Sequence, residues 1–336
     1  MSETEKYPIT FYYTDNCERQ TVEPIAEEAK LRGFPVKMSN DMNEKSVIGF
    51  YCQHNQRPKS GLSIIMLHDM AQRHDVWPNF WFHEPWNEFD IGILPGKMWV
   101  DRWKLMSKLR VSQPKIGVFD LGWPKADLIY KNMDEFATKT VKFKSELNLK
   151  YDKTILYAPS WENNGKQDEF VQSLMDLPVN LLLKQAPWPK NYAFVLENIR
   201  KMNELHRNIA DNVHIIDPEI SIMYCIGASD LLVSDESSVL LEAALYGIPS
   251  LAVSDWLIPD QNPPRLACVP FENINKTKLA DLRQTCLDIL TDKTQARSNA
   301  LTIRDEHFSN LGNSSLAIMN LIEDLLISKK LSAKPI

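Results

Sequence analysis

The chain has 336 residues, 44% of them hydrophobic, and a formal net charge of -6. This length is typical of about two domains, each with its own core, and the acidic balance argues against nucleic acid as the main partner. The five cysteines are widely spaced and form no C-x-x-C pair, so we expect neither a disulfide nor a zinc framework. A reducing, cytoplasmic setting fits this pattern best.

Two features bear on membranes. The polar start of the chain, MSETEKYP, does not resemble a secretory signal. No apolar run approaches the roughly 20 residues needed to cross a bilayer. Any membrane contact is therefore expected to be peripheral, at the inner face of the cell membrane.

Short apolar runs alternate with helical patterns in the first half of the chain. The first predicted strand, Ile9 to Tyr13, is followed by a helix from Val22 to Arg32. Further strands are predicted at 35–38, 47–52, 63–67, 91–94 and 116–119. Strands separated by helices and short loops indicate right-handed βαβ crossovers and a mostly parallel sheet.

After a helical, lysine-rich connection over 127–152, the alternation resumes. Strands are predicted at 154–157, 179–184, 213–216, 231–233 and 250–253, and helices at about 276–290, 293–308 and 313–328. We therefore predict an α/β protein of GT-B architecture, in which two Rossmann-like doubly wound domains face a cleft. The expected parts are an acceptor-binding domain over 1–140, a nucleotide-donor domain over 141–312, and a final helix and tail over 313–336 that could return to the first domain.

The segment 230–253 carries the clearest candidate site. Its strand, 231–233, ends in the polar turn SDESS at 234–238, and a helical pattern containing Glu242 starts at Ser237. Such a turn lies at the carboxyl end of a strand and the amino end of a helix, where open parallel sheets bind ligands and free N–H groups attract phosphate. The alternative is that Ser237 only caps the helix and Glu242 only solvates it.

Four stretches resemble one family in the same order. The segments GWPKAD at 122–127, ILYAPSW at 155–161 and SDESS at 234–238 are similar to the G-[YW]-P-[RK]-x-D, L-Y-A-P-T-W and S-D-Y-S-S elements of bacterial CDP-glycerol glycerophosphotransferases. The strand from Ile64 to His68 is similar to the one before that family's H-G pair. The resemblance covers mainly residues 60–255. It implies a transferase that moves glycerol phosphate, or a glycosyl group, from a nucleotide-activated donor to a teichoic-acid-like polysaccharide or lipid-linked acceptor, with CDP-glycerol as the favoured donor.

The chain departs from the family at three positions. Asp69 replaces the glycine of H-G, Ala186 stands where a second histidine is expected, and Glu236 replaces the aromatic residue of S-D-Y-S-S. These changes affect the part of the donor beyond the nucleotide more than nucleotide binding itself. A GT-B glycosyltransferase that uses a UDP- or CMP-sugar, a nucleotide-sugar epimerase, or a non-catalytic sugar-nucleotide binding protein therefore remain alternatives.

Transfer from such a donor needs charge stabilisation on the phosphates and a base for the acceptor hydroxyl. We assign the first task to the serine turn and its amides, with Lys184 as a mobile cation. The base is His68, as a near-neutral imidazole, or its neighbour Asp69; the alternative for His68 is a structural hydrogen bond to a loop. The full predicted donor set is Pro159, Ser160, Lys184, Ser234, Asp235, Glu236, Ser237, Ser238 and Glu242.

The region 68–103 is rich in histidine and tryptophan. Its spacing matches no helix-borne metal motif, so we assign no metal, and no cofactor is indicated. Aromatic faces suit sugar rings and glycerol backbones, which predicts an acceptor platform; the alternative is a loop packed by large residues. The predicted platform residues are Trp77, Trp81, His83 and Trp86.

A helix predicted from Lys97 to Arg110 gathers three cations, Lys97, Lys104 and Lys108, opposite Trp and Met side chains. Such a cationic stripe is typical of a helix that lies on an anionic membrane. It is also typical of an ordinary helix that covers a sheet. Membrane association is therefore an expectation to be tested.

Overall fold

The computed structural model describes residues 6–53, 55–70, 80–82, 84–257 and 274–327. The chain divides into two compact units. Unit 1 comprises residues 1–133 and 306–336, and unit 2 comprises residues 134–305. The divisions thus fall at 133 and 305, whereas the sequence patterns suggested 140 and 312.

The described residues form two groups of strands, β1–β6 in unit 1 and β7–β12 in unit 2. The strands are β1 Ile9–Tyr12, β2 Val36–Ser39, β3 Ser46–Tyr51, β4 Ser60–Met66, β5 Ile91–Leu94, β6 Gly117–Asp120, β7 Thr154–Tyr157, β8 Asn180–Lys184, β9 Val213–Ile216, β10 Leu231–Ser234, β11 Ser250–Val253 and β12 Asn275–Thr277. The α-helices are α1 Asn16–Leu31, α2 Lys97–Met106, α3 Asp127–Tyr130, α4 Met133–Glu146, α5 Lys166–Leu174, α6 Ala193–His206, α7 Ile222–Gly227, α8 Val239–Leu245, α9 Leu282–Thr291, α10 Thr294–His307 and α11 Ser314–Ile327.

Unit 1 has a parallel sheet in the order β2-β1-β3-β4-β5-β6. The strand order reverses between β1 and β3, which makes this pair the topological switch point. Apolar residues of the strands pack against α1 and α11 to form the core of this unit. The carboxyl ends of β1, β3 and β4 therefore meet at one edge of the sheet.

Unit 2 has a parallel sheet in the order β12-β11-β10-β7-β8-β9. Its switch point lies between β7 and β10, where Val233 is in register with Tyr157. Both strands are fully buried, as the apolar run 231–233 predicted. The segments that follow β7 and β10 consequently lie side by side.

Two element boundaries differ from the sequence prediction. Residues 275–277 form β12 beside β11, and the helix expected from about 276 begins only at Leu282. The strand sequence NKT has no apolar run, so periodicity could not reveal it. Helix α1 begins at Asn16 because Asp15 accepts a hydrogen bond from the Glu18 N–H, six residues before the expected start at Val22.

The carboxy-terminal helix α11 belongs to unit 1, where the segment GWPKAD at 122–127 contacts its amino end. The Asp127 carboxylate, 3% exposed, accepts the backbone N–H groups of Ser314 at 3.1 Å and Ser315 at 2.7 Å. Gly122 has φ +92°, and a Cβ there would lie 2.3 Å from the Ser309 carbonyl oxygen. Both ends of this segment therefore have a structural role: Gly122 allows a close backbone approach, and Asp127 caps α11.

Candidate active site

The polar turn 234–238 is organised by a buried carboxylate at the switch point of unit 2. Asp235, 1% exposed, accepts hydrogen bonds from the Ser160 N–H at 2.8 Å and the Ser160 hydroxyl at 2.7 Å. It also accepts the Ser237 N–H at 3.1 Å. Because Ser160 follows β7 and Asp235 follows β10, this carboxylate joins the two loops that flank the switch point.

Lys166 neutralises that carboxylate. Its Nζ lies 2.8 Å from Asp235 Oδ2, and the two side chains are only 5% and 1% exposed. Burial would raise the pKa of Asp235, but the charge of Lys166 and the hydrogen bonds from Ser160 outweigh it and hold the pKa below its ordinary value. The sequence analysis did not identify Lys166.

A second buried carboxylate, Glu162, lies after the same strand β7. It accepts the Tyr157 hydroxyl at 2.7 Å and the Gln185 side-chain amide at 2.9 Å. Burial raises the pKa of Glu162, against the opposing effect of these hydrogen bonds. Gln167 links Gln185 onward to His206, so a continuous polar network underlies the ends of β7 and β8.

Other predicted donor residues take defined positions. Lys184 is buried and donates to the carbonyls of Gln185 and Pro218, both at 2.8 Å, so it is fixed by the backbone and is not the mobile cation that we expected. Ser237 accepts the Val239 N–H through its hydroxyl at 3.4 Å, which fits the capping alternative. The remaining predicted donor residues that lie buried around this turn are Pro159, Ser234, Glu236, Ser238 and Glu242.

In unit 1, His68 and Asp69 follow β4. The His68 Nε2 lies 3.1 Å from an Asp69 oxygen, and its Nδ1 lies 3.4 Å from the Cys52 carbonyl oxygen. Burial opposes protonation of the ring, but Asp69, with the charges of Glu18 and Asp15, outweighs it and raises the pKa of His68 to about 10. His68 is therefore an imidazolium at neutral pH, in contrast to the near-neutral imidazole expected from the sequence.

Glu18 is the buried carboxylate of this edge, and the sequence analysis did not identify it. It is 0% exposed and accepts the Thr14 N–H at 2.6 Å, the Gln56 side-chain amide at 2.9 Å and the side-chain amide of Gln53. Thr14 follows β1, and the two glutamines follow β3. Glu18 thus joins the two loops at the switch point of unit 1.

The predicted acceptor platform is only partly described. Trp77 and His83 lie outside the described residues. Trp81 and Trp86 are both 0% exposed and pack edge to face, with centroids 5.9 Å apart. A stacking platform needs an open ring face, so the positions of these two rings favour the packed-loop alternative.

The cationic helix is shorter than expected. Helix α2 ends at Met106, so Lys108 lies beyond it, and Lys97 forms an ion pair with Asp101. Trp99 and Trp103 are buried. Among the described residues, no helix is long and apolar enough to cross a membrane, and no group of His, Cys, Asp and Glu could hold a metal ion.

Two doubly wound parallel sheets, each with a buried carboxylate at its switch point, define an α/β enzyme fold of GT-B type. The model of the CDP-Glycerol:Poly(glycerophosphate) glycerophosphotransferase family matches residues 111–323. The chain belongs to this family and is a transferase. The resemblance inferred from the three segments between residues 122 and 238 is thereby confirmed.

Solved structures of the same fold are similar over nearly the whole chain. The wall teichoic acid polymerase TagF is 15% identical with a TM-score of 0.64, covering 95% of this chain and 88% of that one. A putative UDP-N-acetylglucosamine 2-epimerase from Listeria monocytogenes is 13% identical with a TM-score of 0.60, covering 98% of each chain. The UDP-GlcNAc 2-epimerase from Neisseria meningitidis, bound to UDP-GlcNAc, is 14% identical with a TM-score of 0.59, covering 96% of this chain and 100% of that one. At these identities the likeness shows the fold. No curated protein matches the sequence.

Proposed function

We propose that this protein transfers glycerol phosphate from CDP-glycerol to a hydroxyl group of a cell-surface polysaccharide or lipid-linked acceptor. The acceptor oxygen forms a new bond to the phosphorus that carries glycerol, the bond from that phosphorus to the oxygen of CMP breaks, and the hydroxyl proton passes to a base. Membership of the glycerophosphotransferase family supports this reaction. The observation that carries the donor assignment is the Asp235-centred turn at the switch point of unit 2.

The donor phosphates are assigned to the turn 234–238. Open parallel sheets bind ligands at this place in the fold, and the turn supplies hydroxyl groups and backbone amides. Lys166 cancels the charge of Asp235, so the carboxylate that shapes the turn does not repel an anionic donor. Lys184 adds a second buried cation at the end of β8.

The acceptor hydroxyl is assigned to unit 1, at His68 and Asp69. Because His68 is protonated at neutral pH, the Asp69 carboxylate is the group of this pair that can accept a proton, with the imidazolium positioning it. This reverses the order in which the sequence suggested the two candidates. The partially exposed side chains, 19% for His68 and 25% for Asp69, leave room for a substrate to approach.

Nucleotide binding tests the donor assignment. CDP should raise the melting temperature more than UDP, CMP or GDP, and Ser238→Ala should weaken CDP binding by about 1 to 2 kcal/mol, the scale of a hydrogen bond to a charged group. Ser145→Ala is the matched control, since Ser145 is exposed on α4 and its hydroxyl donates to the Lys142 carbonyl. If Ser238→Ala binds CDP like the wild type but melts at a lower temperature, the Ser238 hydroxyl has only a structural role and the assignment fails at this residue.

The second candidate is a nucleotide-sugar epimerase, which the likeness to two epimerase structures favours. An epimerase needs no acceptor and releases no nucleotide monophosphate during its reaction. Incubation with CDP-glycerol and an oligomeric glycerol phosphate acceptor should release CMP. Incubation with UDP-GlcNAc alone should leave the sugar configuration unchanged, and conversion to the epimer would favour the second candidate.

Peripheral membrane contact through α2 is a further part of the proposal, because lipid-linked acceptors lie at a membrane. Each lysine near an anionic surface contributes about 1 kcal/mol, and salt screens it. Sedimentation with anionic vesicles should therefore be salt-sensitive and should fall in Lys97→Glu/Lys104→Glu. Recovery of the wild type in the supernatant at low salt would mean that α2 does not bind membranes.

A further inference from the structure

Three aromatic rings form a partly open cluster in unit 2. The aromatic cluster consists of Trp161, Trp188 and Tyr192, with centroid distances of 4.5 Å for Trp161 to Trp188, 4.9 Å for Trp188 to Tyr192 and 5.9 Å for Trp161 to Tyr192. Both tryptophans are only partly buried, and Tyr192 is 39% exposed. Large apolar rings at a surface that also carries a ligand-binding edge are candidates for recognition.

The same unit contains a contrasting group of rings. Tyr157, Phe170 and Trp256 are also in mutual contact through Tyr157, at 5.1 Å and 5.8 Å, but they are 0%, 0% and 4% exposed. Those rings belong to the hydrophobic core that covers the sheet. The aromatic cluster is not part of that core, so packing of the sheet does not account for it.

The order of the strands places the aromatic cluster near the turn 234–238, which we call the donor turn. Along the sheet the strands run β10-β7-β8; the donor turn follows β10, Trp161 follows β7 and Trp188 follows β8. Neighbouring strands are about 4.8 Å apart. Trp161 therefore follows the strand next to that of the donor turn, and Trp188 follows the second strand along. Trp161 is also joined to that site through the preceding residue, because Ser160 donates two hydrogen bonds to Asp235.

We propose that the aromatic cluster binds the nucleobase of the donor by stacking. The inference rests on the proposed function and adds which part of the donor unit 2 recognises beyond the phosphates. The rings follow β7 and β8, the first and second strands beside β10, and a nucleoside attached to phosphates at the turn 234–238 is long enough to span one or two strands of about 4.8 Å each. A nucleobase presents a flat π-face that stacks on indole and phenol rings, which glycerol does not have.

Stacking accepts any base with a π-face, so the aromatic cluster contributes affinity more than it selects between pyrimidines. Loss of Trp188 should therefore weaken CDP and UDP by a similar factor. It should not affect a diphosphate that has no base. If Trp188 contacts the base, only ligands with a base lose affinity. If Trp188 merely supports the donor turn, a diphosphate without a base loses affinity as well.

The experiment is calorimetric titration of the full chain with CDP, UDP and inorganic pyrophosphate. In Trp188→Ala, CDP and UDP should each bind about tenfold more weakly, pyrophosphate should bind as in the wild type, and Trp188→Phe should recover most of the loss. Tyr192→Ala, at the exposed end of the aromatic cluster, is a second variant that is less able to disturb folding. Phe194→Ala is the matched control, since Phe194 is 61% exposed and makes no ring contact within the described residues.

Three outcomes separate the inference from the proposed function. Wild-type affinity for CDP in both Trp188→Ala and Tyr192→Ala, with melting temperatures close to the wild type, would overturn the base site and leave the proposed function standing. Equal weakening of CDP and pyrophosphate would also overturn it, because the rings would then act through the donor turn. If the wild-type protein binds none of the three compounds, the proposed function fails and the base site fails with it.

Discussion

At each of the two switch points a buried carboxylate connects two loops, but the charges around that carboxylate differ. In unit 1, Glu18 joins the loops after β1 and β3 and is satisfied by neutral donors from Thr14, Gln53 and Gln56. In unit 2, Asp235 joins the loops after β7 and β10 and is neutralised by Lys166. A buried carboxylate that accepts several hydrogen bonds fixes neighbouring loops in either case. The Lys166–Asp235 pair suits an anionic donor. In unit 1, against the effect of burial, Asp69 is the main cause that raises the pKa of His68, with smaller contributions from Glu18 and Asp15.

Removing Lys166 should have the largest effect on stability. Lys166→Ala leaves Asp235 buried without its cation, and breaking a buried ion pair in this way costs about 3 to 5 kcal/mol. Arg283→Ala is the matched control, because its ion pair with Asp176 is 44% and 66% exposed and solvent screens such a pair, so its loss should change stability little. Urea denaturation of both variants measures the difference. Equal losses in the two variants would mean that the charge of Lys166 is not needed to hold the turn.

The second largest effect is expected in the turnover of the enzyme when His68 of unit 1 is replaced. His68→Ala removes the imidazolium that positions the Asp69 carboxylate, so it should lower turnover by up to about 100-fold, the usual scale of acid–base assistance, and leave CDP affinity nearly unchanged. His214→Ala is the control, because His214 lies on β9 in the sheet of unit 2. Steady-state rates with CDP-glycerol and separate CDP titrations distinguish the two effects. Wild-type turnover in His68→Ala would mean that the Asp69 carboxylate does not need the imidazolium for its role, and Asp69→Asn then tests whether Asp69 is the base.

The fold could be predicted from sequence wherever strands are apolar and end at polar or breaking residues. Strands β5, β7, β9 and β11 begin and end where the sequence placed them. The polar edge strand β12 and the first turn of α1 were missed, because a three-residue polar strand and a single capping aspartate carry no periodicity. Local sequence patterns therefore predict the buried strands better than they predict polar edge strands and helix ends.

The site shows a similar division. The turn 234–238 was visible because a strand, a polar turn and a helix follow one another in sequence. Lys166 and Asp235 are 69 positions apart, and they meet only because β7 and β10 are neighbours in the sheet. For Trp81 and Trp86, composition could not distinguish an open platform from the buried, edge-to-face pair that the structure contains.

The smallest predicted effect is a difference in pH dependence between histidines of the two units. The pKa of His68 is raised to about 10, because Asp69, Glu18 and Asp15 outweigh burial, whereas burial lowers the pKa of His214. A histidine whose folded pKa is raised stabilises the protein fully below its unfolded pKa of about 6.5, and that contribution is lost as the pH rises through about 10. Because burial lowers the folded pKa of His214, its stabilising contribution is gained as the pH rises through the unfolded pKa of about 6.5, so His214 contributes little slope between about pH 7.5 and 8.5.

Melting temperatures across that window test the difference. The wild type should lose stability from about pH 7.5 to 8.5 relative to His68→Asn, while His214→Asn should keep the slope of the wild type over the same range. Asp69→Asn should also flatten the slope, because it removes the charge that holds the proton on His68. The window ends at about 8.5 because buried Cys225 and Cys286, with pKa values raised to about 12, add their own loss of stability above the ordinary thiol pKa. Identical slopes in the wild type and His68→Asn would show that His68 has a similar pKa in the folded and unfolded chain, and the switch point of unit 1 would then lack the protonated histidine that distinguishes it from unit 2.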